Sequence, residues 1–200
     1  MISKVYFINL NHRLDRKEHI EQLLKDSDLF DISERISALY NVVLPQAGCV
    51  LSHIATLERF IGSGEEYCLV LEDDFITDNR VSLKSDIEKL FIDEVDFDIV
   101  QISGNHKQLK DCEYPYLRSV IDSQTASGYI INSRFATTLL DNFKESYRLI
   151  SEFGRQHNYC IDIYWKKLQP ISKWYCFSPS LGYQMDGYSD IEKKNTSYKC

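Results

Sequence analysis

Short apolar runs alternate with amphipathic stretches along most of the chain. Runs rich in β-branched and aromatic residues predict strands over 4–10, 67–74, 97–103, 127–132 and 173–178, and allow a further strand over 34–39. Apolar positions at helical spacing predict helices over 13–27, 47–64, 83–91, 133–143 and 160–168. This alternation favours an α/β fold in which helices flank a mostly parallel central sheet.

The stretch 47–64 carries the strongest helical pattern. Its apolar residues recur at helical spacing on one face: Val50, Ile54, Leu57 and Ile61. Gly62 or Gly64 can end this helix, because glycine adopts the left-handed backbone conformation at low cost. The helix over 133–143 has a candidate capping side chain in Ser133.

Two polar stretches are predicted to be loops. The segment 104–116 is irregular, and the chain from about Gly182 onward is rich in Lys, Asp and Ser. No internal repeat or interdomain linker stands out in the sequence. We therefore predict a single domain over 1–182, followed by a C-terminal loop or tail over 183–200.

Composition and charge narrow the class of protein. The chain has 200 residues, of which 44% are hydrophobic, enough for one domain with a sizeable core. Its net charge of -7 and the lack of a basic block argue against nucleic-acid binding. No apolar run suits a signal peptide or approaches the ~20 residues of a transmembrane helix. We expect a cytoplasmic protein or a domain of a longer one.

The six cysteines are scattered without a CxxC pair, which is typical of reduced thiols in a cytoplasmic protein. Cys49 and His53 stand four residues apart, which is a spacing that zinc ligands use on a helix. Because no second pair of this kind follows, zinc is not favoured.

Three carboxylates follow directly on a buried run: Glu72, Asp73 and Asp74. In open α/β sheets, ligand sites lie at the carboxyl ends of strands. If the strand continues, Glu72 and Asp74 point to the same side and offer oxygen ligands that suit Mg²⁺ or Mn²⁺. The alternative interpretation is a solvated acidic turn.

Two arginines follow the first predicted strand. Arg13 and Arg16 are the cations nearest to its carboxyl end, and arginine forms forked hydrogen bonds with phosphate or carboxylate groups. Asn9, just before them, can hydrogen-bond a base or a ribose. The alternative is a helix start with Arg–Asp pairs on the surface.

Six motifs, in order, resemble the family 25 glycosyltransferases, which include bacterial lipooligosaccharide galactosyltransferases and collagen galactosyltransferases. INLNHRLDR at 8–16 resembles the family's INLxxRxDR, GCVLSH at 48–53 its GCxLSH, and LEDD at 71–74 its acidic metal motif. The remaining three are SGYII at 127–131, IDIY at 161–164 and PSLGYQ at 179–184. The order and intervals of these motifs make the resemblance specific.

The resemblance implies a GT-A-like fold, a nucleotide-sugar donor such as UDP-galactose, and inverting transfer to an acceptor in glycan or lipopolysaccharide biosynthesis. It implies Mn²⁺ or Mg²⁺ as cofactor, held by Glu72 and Asp74. The donor-binding candidates are Asn9, Arg13, Asp15, Arg16, Ser52, His53, Asp73 and Gln184. A core role for His53 and a capping role for Gln184 remain equally open.

The catalytic base is expected to be Asp162, because its flanking residues Ile161 and Ile163 favour partial burial and a raised pKa. A helix N-cap is the alternative role for this aspartate. Three aromatic residues could stack on an acceptor sugar, although a core role is favoured for each: Tyr164, Trp165 and Trp174.

The function hypothesis is a metal-dependent inverting glycosyltransferase that acts on a glycan, lipid-linked or protein acceptor. The alternative is a catalytically inactive nucleotide-sugar-binding or scaffold protein with the same fold. A Mg²⁺-dependent phosphotransfer protein is a third hypothesis, but neither its nucleophilic Asp nor its downstream Lys is evident. The chain leaves little room for the additional C-terminal helices of many family members, so the donor site is better supported than the acceptor site.

Overall fold

A computed structural model describes residues 1–78, 82–189 and 194–196 of the chain. Strands and helices alternate along much of this length. The strands are β1 Lys4–Asn9, β2 Ser33–Ser37, β3 Tyr67–Glu72, β4 Phe75–Thr77, β5 Ile99–Gln101, β6 Asn105–Lys110, β7 Leu117–Gln124, β8 Gly128–Asn132, β9 Trp174–Phe177, β10 Gly182–Gln184, β11 Gly187–Ser189 and β12 Lys194–Thr196. The helices are α1 Leu14–Asp26, α2 Pro45–Ser63, α3 Leu83–Ile92, α4 Ser133–Phe153 and α5 Ile161–Tyr164. Shorter 3₁₀ segments lie at Phe30–Ile32, His157–Tyr159 and Trp165–Ile171.

The central sheet has eight strands in the order β2-β1-β3-β8-β5-β9-β7-β6. β1 pairs in parallel with β2 and β3, and β5 pairs in parallel with β9. β7 and β8 run opposite to the other strands of this sheet. The prediction of an α/β fold with a mostly parallel central sheet is therefore confirmed. Because β1 and β3 are parallel neighbours, their carboxyl ends lie side by side at the same end of the sheet.

Helices cover both faces of the sheet, and β1 shows how its alternating side chains divide between the two cores. Tyr6 and Ile8 join the core that α2 and α4 cover, whereas Val5 and Phe7 join the core on the opposite face, with residues of α1 and α3. Burial of each such aliphatic or aromatic side chain stabilises the fold by about 1.5–3 kcal/mol.

Helix α2 lies on one face of the sheet, and its Cys49 and His53 line a pocket with Glu72 at the end of β3. It ends at Gly64, whose φ of 73° is left-handed, so one of the two predicted glycine stops is confirmed. The prediction that Ile61 faces the core is wrong, because Ile61 is 42% exposed. The neighbouring Phe60 is buried in its place. A Cβ at Gly48 would lie 2.3 Å from the carbonyl oxygen of Leu39, so only glycine lets the loop before α2 approach the helix this closely.

Several predicted element limits are corrected by the structure. Asn132, not Ser133, caps α4, because its side chain accepts a hydrogen bond from the Arg134 N–H. Helix α4 also continues ten residues past the predicted end at 143, to Phe153. The predicted helix over 160–168 is the short α5 followed by a 3₁₀ segment that contains Pro170.

Parts of the predicted loops form strands. β6 lies in the segment 104–116 and pairs with β7 at the edge of the sheet, where its side chains are largely exposed and therefore polar. β10 pairs with β4, and β11 with β12, in the stretch from Gly182 onward. The division of the chain at 182 stays a prediction, and most of 190–200 lies outside the described residues.

Five cysteines lie in the described part of the chain, and all five are free thiols, as predicted. Cys200 lies outside the described residues. Within the described residues, no helix is both long and apolar enough to cross a membrane.

Candidate functional site

The acidic run after β3 forms a buried turn. Glu72 is the last residue of β3, and Asp73 and Asp74 make the turn into β4. The expectation that the strand continues through Asp74 is therefore wrong, and strand alternation does not align Glu72 with Asp74. Asp73 and Asp74 are only 7% and 6% exposed, so the turn is not the solvated one of the alternative interpretation.

Asn9 at the end of β1 and Arg16 in α1 hold this turn. The Arg16 guanidinium donates to Asp73 Oδ1 at 3.1 Å and to Asp74 Oδ2 at 3.0 Å. The Asn9 Nδ2 group donates to Asp73 Oδ2 at 2.7 Å. The structure thus brings Asn9 and Arg16 next to Asp73 and Asp74, which lie more than fifty positions later in the chain.

Arg13 and Asp15 form a separate pair at the surface. The two side chains make a forked ion pair with distances of 3.0 and 2.8 Å, and this pairing lowers the pKa of Asp15 to about 2. The Asp15 side chain is 66% exposed. Arg13 also donates to the carbonyl oxygen of Tyr188 at 3.4 Å. The surface-pair alternative therefore describes Arg13 and Asp15 well, and their donor-binding role stays a prediction.

His53 connects the acidic run to the core. Its Nε2 lies 3.2 Å from Glu72 Oε1, and its Nδ1 lies 3.1 Å from the hydroxyl of Tyr129. Gln184, at the end of β10, donates from Nε2 to Glu72 Oε2 at 3.3 Å. His53 is fully buried and both ring nitrogens have a partner, as expected of a core histidine, but it also lines a pocket, and its donor-binding role stays a prediction.

The Ser52 side chain, in α2, makes hydrogen bonds to two backbone groups. Its hydroxyl donates to the Gly48 carbonyl at 2.7 Å and accepts from the Leu39 N–H at 2.9 Å. The Leu39 contact fastens the loop before α2 to the helix, whereas the Gly48 contact lies within the helix. A donor-binding role for Ser52 stays a prediction.

Asp74 meets a requirement of a divalent cation site. Its Oδ1 atom is buried and has no hydrogen-bond partner among the described residues, whereas both oxygens of Asp73 are hydrogen-bonded. An unpartnered buried carboxylate oxygen is costly, and a hard cation such as Mg²⁺ or Mn²⁺ would satisfy it. Asp74 therefore fits as a ligand, whereas both oxygens of Glu72 are engaged by His53 and Gln184, and its role as second ligand stays a prediction.

A second possible donor set shares Glu72 with the first. The ligand atoms of Cys49, His53 and Glu72 lie within 4.8 Å of one another, and their chemistry suits zinc better than magnesium. Burial, and then the nearby charge of Glu72, raise the pKa of the Cys49 thiol well above its usual value. The unpartnered carboxylate oxygen of Asp74 suits a hard cation better than zinc, so we favour the oxygen ligands.

The Asp74 carboxyl predicts a pH dependence of stability. Burial, and then the negative charge of Glu72, raise its pKa from 3.8 to about 7, so between these values the folded protein holds a proton that the unfolded chain has lost. Its stabilising contribution is complete below pH 3.8 and is lost as the pH rises through about 7. With a chelator present, we expect Tm to fall over this range less steeply in Asp74→Asn than in the wild type. Parallel Tm curves would contradict the prediction.

Two chambers meet at the acidic run. The first chamber, of about 100 Å³, lies between the end of β1 and the start of α2 and is largely apolar; its lining includes Leu10, Leu39, Tyr40, His53 and Asp73. The second chamber, of about 420 Å³, is more polar; its lining includes Gln46, Asn105, Gln124, Asp162 and Gln184. Cys49 and Glu72 border both chambers.

Asp162 lines the second chamber, whose lining includes Glu72 but neither Asp73 nor Asp74. It is the second residue of α5, which Cys160 precedes as cap residue, so the N-cap alternative is wrong. Its Oδ2 accepts the Thr125 N–H at 3.2 Å. Burial raises the pKa of Asp162, and the Glu72 charge adds to this rise, while the Thr125 hydrogen bond opposes it.

Thr125 has an unusual backbone conformation beside Asp162. Its φ is 81°, in the left-handed region that β-branched residues avoid at a cost of about 1–3 kcal/mol. Asp162 accepts its N–H, and the Gln101 Nε2 group donates to its carbonyl at 3.1 Å. These two contacts hold the strained residue at the chamber wall.

The sequence model of "Glycosyltransferase family 25 (LPS biosynthesis protein)" matches residues 26–153, which is well over half of the chain. The chain belongs to glycosyltransferase family 25. The matched range contains the GCVLSH, LEDD and SGYII motifs, while the motifs at 8–16, 161–164 and 179–184 lie outside it. No curated protein sequence matches the chain.

Solved structures show the fold of this family 25 chain. A glycosyltransferase involved in the glycosylation of the major capsid of PBCV-1 is 12% identical with a TM-score of 0.59, covering 95% of this chain and 96% of that chain. A197 from STIV is 13% identical with a TM-score of 0.50, covering 96% and 92%. The mannose-1-phosphate geranyltransferase from Thermus thermophilus is 8% identical with a TM-score of 0.50, covering 88% and 74%. At these identities the likeness supports a GT-A-like α/β fold.

Two further residues of the family 25 site were not predicted as site residues, although Tyr129 lies in the SGYII motif. Arg35 on β2 donates from Nε to Asn9 Oδ1 at 2.9 Å, which turns the Asn9 amide so that its Nδ2 faces Asp73. Tyr129 on β8 contacts His53. Both contacts join positions far apart in the chain, so neither periodicity nor a local motif could reveal them.

The three candidate stacking aromatics are mainly structural. Trp165 and Trp174 are buried, and their rings pack edge to face at 5.0 Å, which confirms the favoured core role for both. Tyr164 is half-buried beneath the Lys167 ammonium, 3.8 Å from its ring centre.

Proposed function

We propose that the protein is a cytoplasmic, metal-dependent inverting glycosyltransferase that moves a hexose, most simply galactose from UDP-galactose, to a hydroxyl of a glycan, lipid-linked or protein acceptor. The observation that carries this proposal is the buried acidic run at the junction of two chambers. Glu72 borders both chambers, and the unpartnered Asp74 Oδ1 belongs to the turn that follows Glu72 directly. Family membership supports the transfer reaction.

The first chamber suits the nucleoside of the donor. Its walls combine apolar side chains with the exposed ring of Tyr40, a surface on which a base can stack. Asp73 lines this chamber, and hydrogen bonds from Asn9 and Arg16 hold its carboxylate in place. A diphosphate would then lie next to the acidic run, where its charge requires a cation.

Glu72 and Asp74 would hold that cation, and bound Mg²⁺ or Mn²⁺ would stabilise the negative charge that develops on the departing diphosphate. His53 contacts one oxygen of Glu72, and Gln184 donates to the other. Arg16 donates a hydrogen bond to Asp74 Oδ2 and so fixes the direction of this carboxylate. The surrounding residues thus preorganise the ligand pair.

The second chamber suits the acceptor. Inverting transfer needs a base on the face of the sugar opposite the leaving group, and Asp162 is the carboxylate that lines this chamber besides Glu72. Burial raises its pKa, so the carboxylate accepts a proton from an attacking hydroxyl more readily than an exposed aspartate would. We propose Asp162 as the catalytic base.

A catalytically inactive nucleotide-sugar-binding or scaffold protein is the second candidate. It is favoured by the ion pairs of Arg16 with Asp73 and Asp74, which already neutralise part of the acidic charge without a metal. In that case, the cluster would be stable without a cation and would need none to bind a donor.

Donor hydrolysis separates the two candidates. We expect the protein to release UDP slowly from UDP-galactose or a related UDP-hexose with Mn²⁺ or Mg²⁺, and to stop when a chelator is added. A panel of nucleotide sugars, followed by chromatography of the released nucleotide, identifies the donor. Tight binding of a UDP-sugar without any release would instead support the scaffold protein.

A further inference from the structure

Gln46, in the first turn of α2, is a buried side chain whose polar atoms have no partner among the described residues. It is 5% exposed, and neither its Nε2 nor its Oε1 has a hydrogen-bond partner in that part of the chain. Native proteins hydrogen-bond almost all buried polar groups. Gln46 also borders the second chamber, so a ligand bound there is the nearest source of the missing partners.

The other buried glutamines of this chain are satisfied. Gln169 accepts from the Ser123 N–H at 2.9 Å and donates to the Ser123 carbonyl at 2.7 Å. Gln101 donates to Thr125 and accepts from the Trp174 indole at 3.2 Å. Where a buried glutamine has a structural role here, both ends of its amide are paired, which sets Gln46 apart.

The chemistry of the second chamber indicates the kind of ligand. Besides Gln46, three further carboxamides line it: Asn105, Gln124 and Gln184. A carboxamide offers one donor and one acceptor group side by side, which matches two neighbouring hydroxyls of a sugar. The lining also contains Glu72 and Asp162 with Arg155 and His157, so acidic and basic side chains offset one another and the carboxamides favour a neutral ligand.

We infer that Gln46 determines acceptor specificity by hydrogen-bonding two neighbouring hydroxyls of a neutral saccharide in the second chamber. This inference rests on the proposed function, which assigns that chamber to the acceptor. Both polar atoms of the amide are buried, so the side chain has to rotate towards the chamber that Gln46 lines in order to reach the sugar. Gln46 is three residues before Cys49, which borders both chambers, so the bound sugar lies close to the donor.

The first test compares two buried glutamines. Gln46→Leu removes an unsatisfied amide at similar volume, so its Tm is expected to equal the wild-type value or exceed it by about 2–4 °C. Gln169→Leu breaks two hydrogen bonds to Ser123 and is expected to lower Tm. A Gln46→Leu variant that melts as early as Gln169→Leu would show a structural amide and overturn the inference.

The second test measures saccharide binding without turnover. Saturation-transfer NMR with UDP and Mg²⁺ present is applied to methyl glycosides of galactose, glucose and N-acetylglucosamine. We expect the wild type to bind at least one of them, and Gln46→Leu to bind it about 10-fold more weakly, while its affinity for UDP stays unchanged. Wild-type affinity in the variant, or no glycoside binding by the wild type, would overturn the inference.

Deoxy analogues of the bound glycoside locate the contact. The wild type should lose affinity for the analogues that lack either hydroxyl read by Gln46, whereas Gln46→Leu should not distinguish them from the parent glycoside. Equal discrimination by both proteins would assign those hydroxyls to other residues and reject the inference. Because these readouts need no catalysis, glycoside binding without UDP-sugar hydrolysis would reject the proposed function and leave the Gln46 contact measurable.

Discussion

Asp74→Asn is expected to abolish sugar transfer, with at least about a 100-fold loss of kcat/KM, while the protein stays folded. The asparagine keeps the shape of the side chain and an oxygen that can accept from Arg16, but it removes the charge that a divalent cation requires. The fold tolerates this change because the Asp74 carboxyl, with its pKa raised to about 7, is already costly when ionised. Asp74→Ala should lose the same activity.

The measurements are UDP release and Mg²⁺-dependent binding of UDP, each combined with a melting curve. Asp86→Asn is the matched control, because Asp86 carries the same chemical change in α3, where it pairs with Lys89 away from the acidic turn. Wild-type activity in Asp74→Asn would remove the metal from the proposed mechanism. It would leave Arg16 as the cation that neutralises the turn.

Buried strands were predictable because they show as apolar runs in the sequence. β1, β3, β8 and β9 are covered on both faces, so almost every side chain is apolar and the pattern is unambiguous. β6 was missed because it is a polar edge strand whose partner is β7 alone. No local pattern separates such a strand from a loop.

The acidic turn was predictable in part. The sequence places Asn9 and Asp73 just at or after the ends of two buried strands, and parallel neighbours bring those ends together. The direction of each carboxylate was not predictable, because the chain turns at Asp73 instead of continuing the strand. The family resemblance supplied the residues, and the tertiary structure supplied their partners.

The contacts that complete the site come from distant positions. Arg35 reaches Asn9 across 26 positions, and Tyr129 reaches His53 across 76. Gln46 follows Pro45 at the start of α2, where a polar residue is common, so nothing in the sequence marks it as unpartnered. Such features depend on which elements pack together, which periodicity alone does not determine.

Asp162→Asn is expected to lower the rate of UDP release at least about 100-fold and to change the affinity for UDP by less than about twofold. The asparagine oxygen can still accept the Thr125 N–H, so the strained backbone at the chamber wall is retained while the base is lost. Release rates and calorimetric titration with UDP measure the two effects separately. Equal losses in rate and in affinity would mark the residue as structural.

Asp162→Ala distinguishes a base from a residue that only holds Thr125. Alanine removes both the carboxylate and the hydrogen bond to the Thr125 N–H, whereas asparagine removes the carboxylate alone. If Asp162 accepts the proton, both variants are inactive, because neither has a group that can take it. If Asp162 only positions the backbone, Asp162→Asn is active and Asp162→Ala is not, and the base must then be sought elsewhere on the second chamber, where Glu72 is the other carboxylate.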